Sequence, residues 1–196
     1  MLLYHVERMN EESANALLKV MEEPPEGVLF LLTADSLASV LPTIRSRCVS
    51  FAVAPVSPAD CTRYCAAQGV DKKTAALYSE LFDGHIGTVL AVARDEARAA
   101  QVEKALELAR AAAARDSYTA AVLLAAYEKD KATASALLTD FRAVAAAGLR
   151  SSPRAPVQGT QARQAVRLAD AALQRLGAQV NPKVVLSVFA AKLRTV

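Results

Sequence analysis

From Ser57 to Val196 the chain offers no convincing strand, and its apolar residues return every third or fourth position instead. That spacing stacks them on one face of a helix. It recurs over eight segments, about 58–68, 71–82, 86–95, 98–114, 117–127, 130–149, 160–177 and 181–194, separated by Gly69, the turn "DGHIG", Asp116 and the loop "RSSPRAPVQGT". Alanine runs such as "LARAAAAR" strengthen the reading, because alanine loses least on entering a helix, and they supply much of the 53% hydrophobic fraction. The stripes Val102, Leu106, Ala109; Val122, Leu123, Ala126; Leu137, Leu138, Phe141, Val144; Val166, Ala169, Leu173, Leu176; and Val184, Val185, Val188, Phe189 read as helical core. A mainly α protein is expected.

The first fifty-odd residues obey a different period. "LLYHV" has strand length, and Asn10 followed by Glu11 and Glu12 gives an N-cap with two carboxylates in the first helical turn. Ala14, Leu17, Leu18 and Met21 then mark one apolar face, and the proline pair in "EEPPEG" ends the helix. "VLFLLT", Val28 to Thr33, is a continuous apolar run expected to be a strand buried on both faces. Strand, helix and strand make a parallel crossover unit, and "VSFAV" follows as a third candidate strand. Pro55 and Pro58 mark a boundary, with Ser57 placed to cap the next helix.

Charge excludes little. The formal net charge of +3 comes from 23 basic and 20 acidic residues scattered along the chain, whereas a phosphate-tracking surface needs its cations on one face. Tyr64, Tyr78, Tyr118 and Tyr127 are too dispersed for a base-stacking platform, and Arg142, Arg150 and Arg154 read as a solvated region. The longest apolar runs fall far short of the roughly 20 residues that span a bilayer, and the N-terminus has no signal-peptide pattern; a cytoplasmic protein is expected. Cys48, Cys61 and Cys65 include no CxxC pair and stand at no zinc-ligand spacing to His5 or His85, so buried free thiols are expected and no metal or cofactor.

The stretch "NALLKVMEEPPEGVLFLLTADSLASVLPTIRSRC", Asn15 to Cys48, carries "NALLK", "EEPP" and "TIRSRC" in order. It resembles the core of bacterial DNA polymerase III clamp-loader subunits, the gamma/tau and delta-prime group of AAA+ proteins. The resemblance implies three parts: the C-terminal portion of an AAA+ nucleotide-binding-like domain (1–55), a small helical lid (56–98) and a helical collar for oligomerisation (99–196). It also implies that Arg47, flanked by Ser46 and Cys48, is an arginine finger reaching in trans toward ATP held by a neighbouring subunit. Arginine suits that task because its planar, permanently charged fork neutralises a transferring phosphoryl group. Arg45 is expected to make a salt bridge or a phosphate contact.

Several departures from the family pattern bear on activity. No Gly-Lys pair occurs, so the chain has no phosphate loop of the Walker A kind. Tyr4 and His5 stand where active relatives place an Asp-Glu pair for magnesium, Gly87 stands where they place a lid arginine, and Thr33, Ala34 and Asp35 replace sensor-like polar residues. Glu7 reads as a helix-leading or salt-bridging acid. The resemblance therefore implies a non-catalytic, stator-like subunit of the delta-prime kind. Its partners would be the gamma/tau and delta subunits, with the sliding clamp and primer–template DNA reached through the complex and no membrane. A fragment of a gamma/tau-type ATPase, or a helical oligomerisation module with a vestigial AAA+ segment, are the rival readings. In the family's sheet a central strand absent from this chain lies between those matching "VLFLL" and "VSFAV". A displaced or poorly ordered N-terminal segment, or pairing with another chain, is accordingly expected.

Overall fold

The computed structural model describes residues 1–54 and 56–196, and the expected boundary residue Pro55 lies outside them. The chain divides into two compact units, Met1–Ala54 and Pro55–Val196. The fold is mostly helical, with one small parallel sheet.

In the first unit β1 (Leu2–Leu3) pairs in parallel with β2 (Leu31–Leu32), Leu2 opposite Leu31 and Leu3 opposite Leu32. Helix α1 (Glu11–Glu22) makes the crossover between them. The side chain of Asn10 accepts from the Ser13 amide at 2.8 Å, so the expected cap forms, and the helix stops just before the proline pair. Helix α2 (Pro42–Arg45) is a single turn opened by proline. Val6, Ala14, Leu17, Val40 and Ile44 form the buried core, with Leu3, Leu18, Met21, Phe30, Leu32 and Cys48 packed around it.

Two expectations fail here for one reason. "VSFAV" forms no strand: residues 49–53 carry no regular structure, and Val49, Phe51 and Val53 are 81%, 83% and 94% exposed. The "VLFLLT" run is not buried on both faces either, since Leu29 and Leu31 are exposed while Phe30 and Leu32 turn toward the core. A strand exists only where a neighbour takes its amides and carbonyls. With two residues in each ladder strand, the segment after Cys48 has no strand partner among the described residues and the sheet has one covered face.

Among the described residues the regular elements of the second unit are all helices: α3 (Pro58–Ala67), α4 (Lys72–Leu81), α5 (Ile86–Arg94), α6 (Glu96–Ala113), α7 (Ser117–Ala125), α8 (Lys131–Leu149), α9 (Gly159–Gly177) and α10 (Pro182–Leu193). Each helix ends within about two residues of its expected bounds because the stops are chemical. Ser57, Asp71, Asp116, Asp130 and Asn181 all accept backbone amides from the first turn that follows them. Helices α3, α4 and α5 pack together, α8 lies against α6 and α9, and α7 lies against α10. One continuous core runs through all of them, from Cys61 and Cys65 to Val196, with Phe141 meeting Phe189 edge to face at 5.4 Å.

Buried alanines line much of α6, α8 and α9, among them Ala105, Ala109, Ala145, Ala162, Ala165 and Ala169, and let the helix axes approach. Gly148 takes this to its limit: a Cβ there would sit 1.9 Å from the Val157 carbonyl oxygen. Gly84, in the turn between α4 and α5, has φ +71 and would place a Cβ 1.7 Å from the Val56 oxygen. In α7 the expected face is wrong, since Val122 is exposed and Ala120 and Leu124 are buried instead. Val184 and Val188 of α10 are exposed too, while Val185, Leu186 and Phe189 fill the core.

The cations between α8 and α9 are tied rather than free. Arg142 pairs with Asp170 at 3.1 Å, Arg150 with Asp83 at 3.1 Å and Arg154 with Glu80 at 3.3 Å, the last two joining the α8–α9 connection to the end of α4. The cysteines are free, Cys61 and Cys65 buried and Cys48 half-buried. Burial pushes the Cys65 thiol up to about 11, so it stays protonated at neutral pH.

The capping aspartates give the fold an acid limit. Hydrogen bonds from Thr74, Thr119 and Thr133 hold the carboxyls of Asp71, Asp116 and Asp130 below their ordinary range. A depressed folded-state pKa adds stability that is complete above the unfolded value of about 3.9 and fades as pH falls through the folded value. Replacing all three with asparagine keeps the caps and removes the titration. The expected result is a shallower loss of Tm below about pH 4, measured by circular dichroism; an unchanged acid limb would overturn the assignment.

Candidate functional site

The first unit gathers its polar chemistry at two places. The first lies where β1 and β2 end. The Thr33 amide donates to the Leu3 carbonyl at 2.9 Å and the Val6 amide to the Thr33 carbonyl at 3.0 Å, which extends the short ladder past its last strand residues. Between them His5 adopts φ 54, a left-handed conformation uncommon outside glycine, and its amide donates to Thr33 Oγ1 at 3.2 Å. The chain then turns through a 3-10 segment, Val6–Arg8, which tucks Glu7 inward.

As a result His5 Nδ1 lies 3.1 Å from Glu7 Oε1 and 3.7 Å from Asp35 Oδ1. Glu7's other oxygen, Oε2, is buried without a hydrogen-bond partner among the described residues. Burial works against the charge on Glu7, but its own backbone amide, His5 and Arg8 outweigh it and hold the carboxyl below its ordinary range. Tyr4 is exposed. The spacing of His5, Glu7 and Asp35 along the sequence, 2 and 28 residues, matches no ligand motif; the signal that unites them is the β1–β2 pairing.

The second place is the turn after α2. Ser46 caps the helix and its hydroxyl donates to the Thr43 carbonyl at 2.9 Å. Arg47 folds back: Nη1 donates to the Thr43 carbonyl at 3.1 Å and to Ser46 Oγ at 3.3 Å, and Nη2 donates to Glu22 Oε1 at 2.5 Å. The turn thus brings Arg47 to the end of α1, against a glutamate of the "EEPP" stretch. Both partners are substantially exposed, Arg47 by 37% and Glu22 by 52%, and such a pair is worth about 0–1 kcal/mol. It orients the guanidinium without locking it.

The Arg45 side chain has no hydrogen-bond or salt-bridge partner among the described residues, so of the two contacts expected of it the salt bridge does not form within the chain, while Arg47 makes one to Glu22. Cys48 packs against the buried core of the first unit. Gly87 falls in the first turn of α5.

The Leu41–Cys48 turn, presented on a β–α–β unit whose helix ends in a proline pair, is a combination that can be traced in other proteins. A family model described as DNA polymerase III, delta subunit, matches residues 1–57. Over 62 residues the chain is 45% identical to DNA polymerase III subunit delta' of Yersinia pestis, covering 32% of this chain and 18% of that protein. Over 42 residues it is 62% identical to the delta' subunit of Haemophilus influenzae, covering 21% and 13%. Residues 1–57 are homologous to clamp-loader subunits of DNA polymerase III. The tau subunit of Escherichia coli strain K12 also matches, 46% identical over 50 residues, 26% of this chain and 8% of that one. The chain therefore spans less than a fifth of the length of the delta' relatives it matches, and the family-model match ends at residue 57. Among the described residues, no helix is long and apolar enough to cross a membrane.

Proposed function

We propose that this chain acts as a non-catalytic clamp-loader subunit of the delta-prime kind in DNA replication. It joins a ring with gamma/tau ATPase subunits and delta, and donates Arg47 in trans to the ATP site of its neighbour while the ring loads the sliding clamp onto primer–template DNA. The observation that carries this reading is a split within one homologous stretch. The chain carries "SRC", with Arg47 on an exposed turn, while by the family resemblance Tyr4 and His5 stand where hydrolysing relatives carry two carboxylates. An imidazole and a phenol cannot substitute for carboxylates around a hard magnesium ion. The subunit therefore supplies a charge to another site and turns over no ATP itself.

Ser46 and Cys48 serve Arg47 from either side in this reading, Ser46 by fixing the end of α2 and Cys48 by anchoring the turn in the core. The weak pair with Glu22 gives way to a phosphate, because a charge-assisted bidentate contact to phosphoryl oxygens is the stronger of the two. The lid corresponds to α3–α5 and the collar to α6–α10. Assembly would use the collar, where Tyr118, Val122, Val184 and Val188 leave apolar surface on the α7–α10 pair.

The test is co-elution with cognate gamma/tau and delta subunits on a sizing column. Entry into a stoichiometric complex is the expected result. A folded chain that elutes alone while the partners assemble without it overturns the reading.

A further inference from the structure

We propose that His5, Glu7 and Asp35 form a binding site for one divalent cation of the borderline class, Zn2+ above all, with a coordination position left to water. The inference stands independently of the loader reading.

The donor set comes first. One imidazole nitrogen and two carboxylates suit Zn2+, which accepts nitrogen and oxygen together, and they disfavour Mg2+, which prefers oxygen donors alone. Geometry is the second argument. Tetrahedral zinc with bonds near 2.0–2.1 Å sets its donor atoms about 3.3 Å apart. Here His5 Nδ1 is 3.1 Å from Glu7 Oε1 and 3.7 Å from Asp35 Oδ1, close to two edges of that tetrahedron. All three donors lie within 4.8 Å of one another, and the remaining edge closes by rotation of Asp35, whose side chain is 71% exposed.

The third argument is Glu7 itself. Its side chain is only 10% exposed, one oxygen faces His5, and the other, Oε2, is buried with no hydrogen-bond partner among the described residues. A buried carboxylate is ordinarily satisfied by several donors. Oε2 remains an open acceptor that a cation held by Glu7 can take. Arg8 Nε, 3.8 Å from Glu7 Oε1, is the competing cation. Its side chain is 72% exposed and free to swing outward when a metal enters.

The framework is also preset. His5 and Glu7 follow β1 and Asp35 follows β2, so ligands almost thirty residues apart are held in register by the ladder and by the bonds to both ends of Thr33. A pair of charged residues on a loose surface loop would have no such constraint.

The probe is Zn2+ alone, titrated calorimetrically into the full chain at neutral pH, with Co2+ absorption spectra as a second readout. One cation per chain is expected, with tetrahedral d–d bands and no sulfur-to-cobalt charge transfer. His5→Asn, in which asparagine tolerates the left-handed backbone, should weaken binding about 100-fold or more, at least the loss seen when a ligand's supporting shell is removed. Asp35→Asn touches only an exposed side chain and should weaken it about 10-fold or more with Tm unchanged. Absence of binding by the parent chain overturns the site. So does binding that survives both substitutions or shows thiolate spectra, since the metal would then sit on the cysteines.

Discussion

On the role proposed for Arg47, an Arg47→Ala chain is expected to enter the proposed loader complex normally and to lower ATP turnover at the adjoining site about 10³-fold or more, the usual effect of removing an arginine finger. The two halves of that expectation come from separate observations. Assembly survives because Arg47 is exposed and its bonds to Glu22, Thr43 and Ser46 lie on the surface, where such contacts stabilise little. Turnover falls because in the proposed role the guanidinium that meets the phosphate is Arg47's, and Arg45 lies two residues earlier, on the preceding helical turn. Arg47→Lys should recover only a small part of the rate, since an ammonium lacks the planar fork. The measurement is single-site hydrolysis, with the other ATP sites of the ring disabled so that they do not mask the change. Full turnover at the adjoining site in an intact complex would remove Arg47 from the mechanism.

The second large effect is on stability. Asp140, in the middle of α8, is 3% exposed, and its carboxylate is met by both terminal nitrogens of Arg98 at the start of α6 and by Gln101 Nε2 at 3.0 Å. Hydrogen bonding to Asp140 raises the pKa of Arg98, so the guanidinium keeps its charge. Arg98→Met leaves the buried carboxylate with a single amide donor. Breaking a buried pair from one side costs about 3–5 kcal/mol, which chemical denaturation of the chain would read as a large fall in midpoint. The double variant Arg98→Met/Asp140→Leu should regain most of that loss, because two apolar side chains leave no charge stranded. A single variant within 1 kcal/mol of the parent would mean that water reaches Asp140.

The helices were legible because their limits are written in local chemistry. Asp71, Asp116 and Asp130 cap whatever follows them, and Gly69 and Gly84 stop whatever precedes them. Strand "VSFAV" was not, because a strand is defined by a partner elsewhere. The face of α7 was misread for a third reason. "SYTAAVLLA" is apolar nearly all the way round, so periodicity gives a helix and no direction. At the candidate site Arg47 could be singled out through a contiguous motif. Its fold-back onto Glu22, 25 residues earlier, and the meeting of His5 with Asp35 depend on β1 pairing with β2 and on α1 ending where it does. Such meetings are properties of the folded chain.

The alanine-lined helix contacts of the second unit carry a consequence for how this sequence can change. A core of leucines can lose a methylene in many places and be repaired in others. Where Ala105, Ala145, Ala165 and Gly148 set the distance between backbones, there is little to trim and no room to add. Variation in α6, α8 and α9 is thereby confined to their outer faces, and inner positions drift only if two helices move apart together. Such a bundle holds its shape by the tightness of its smallest residues, and its inner sequence is expected to turn over slowly even where nothing binds.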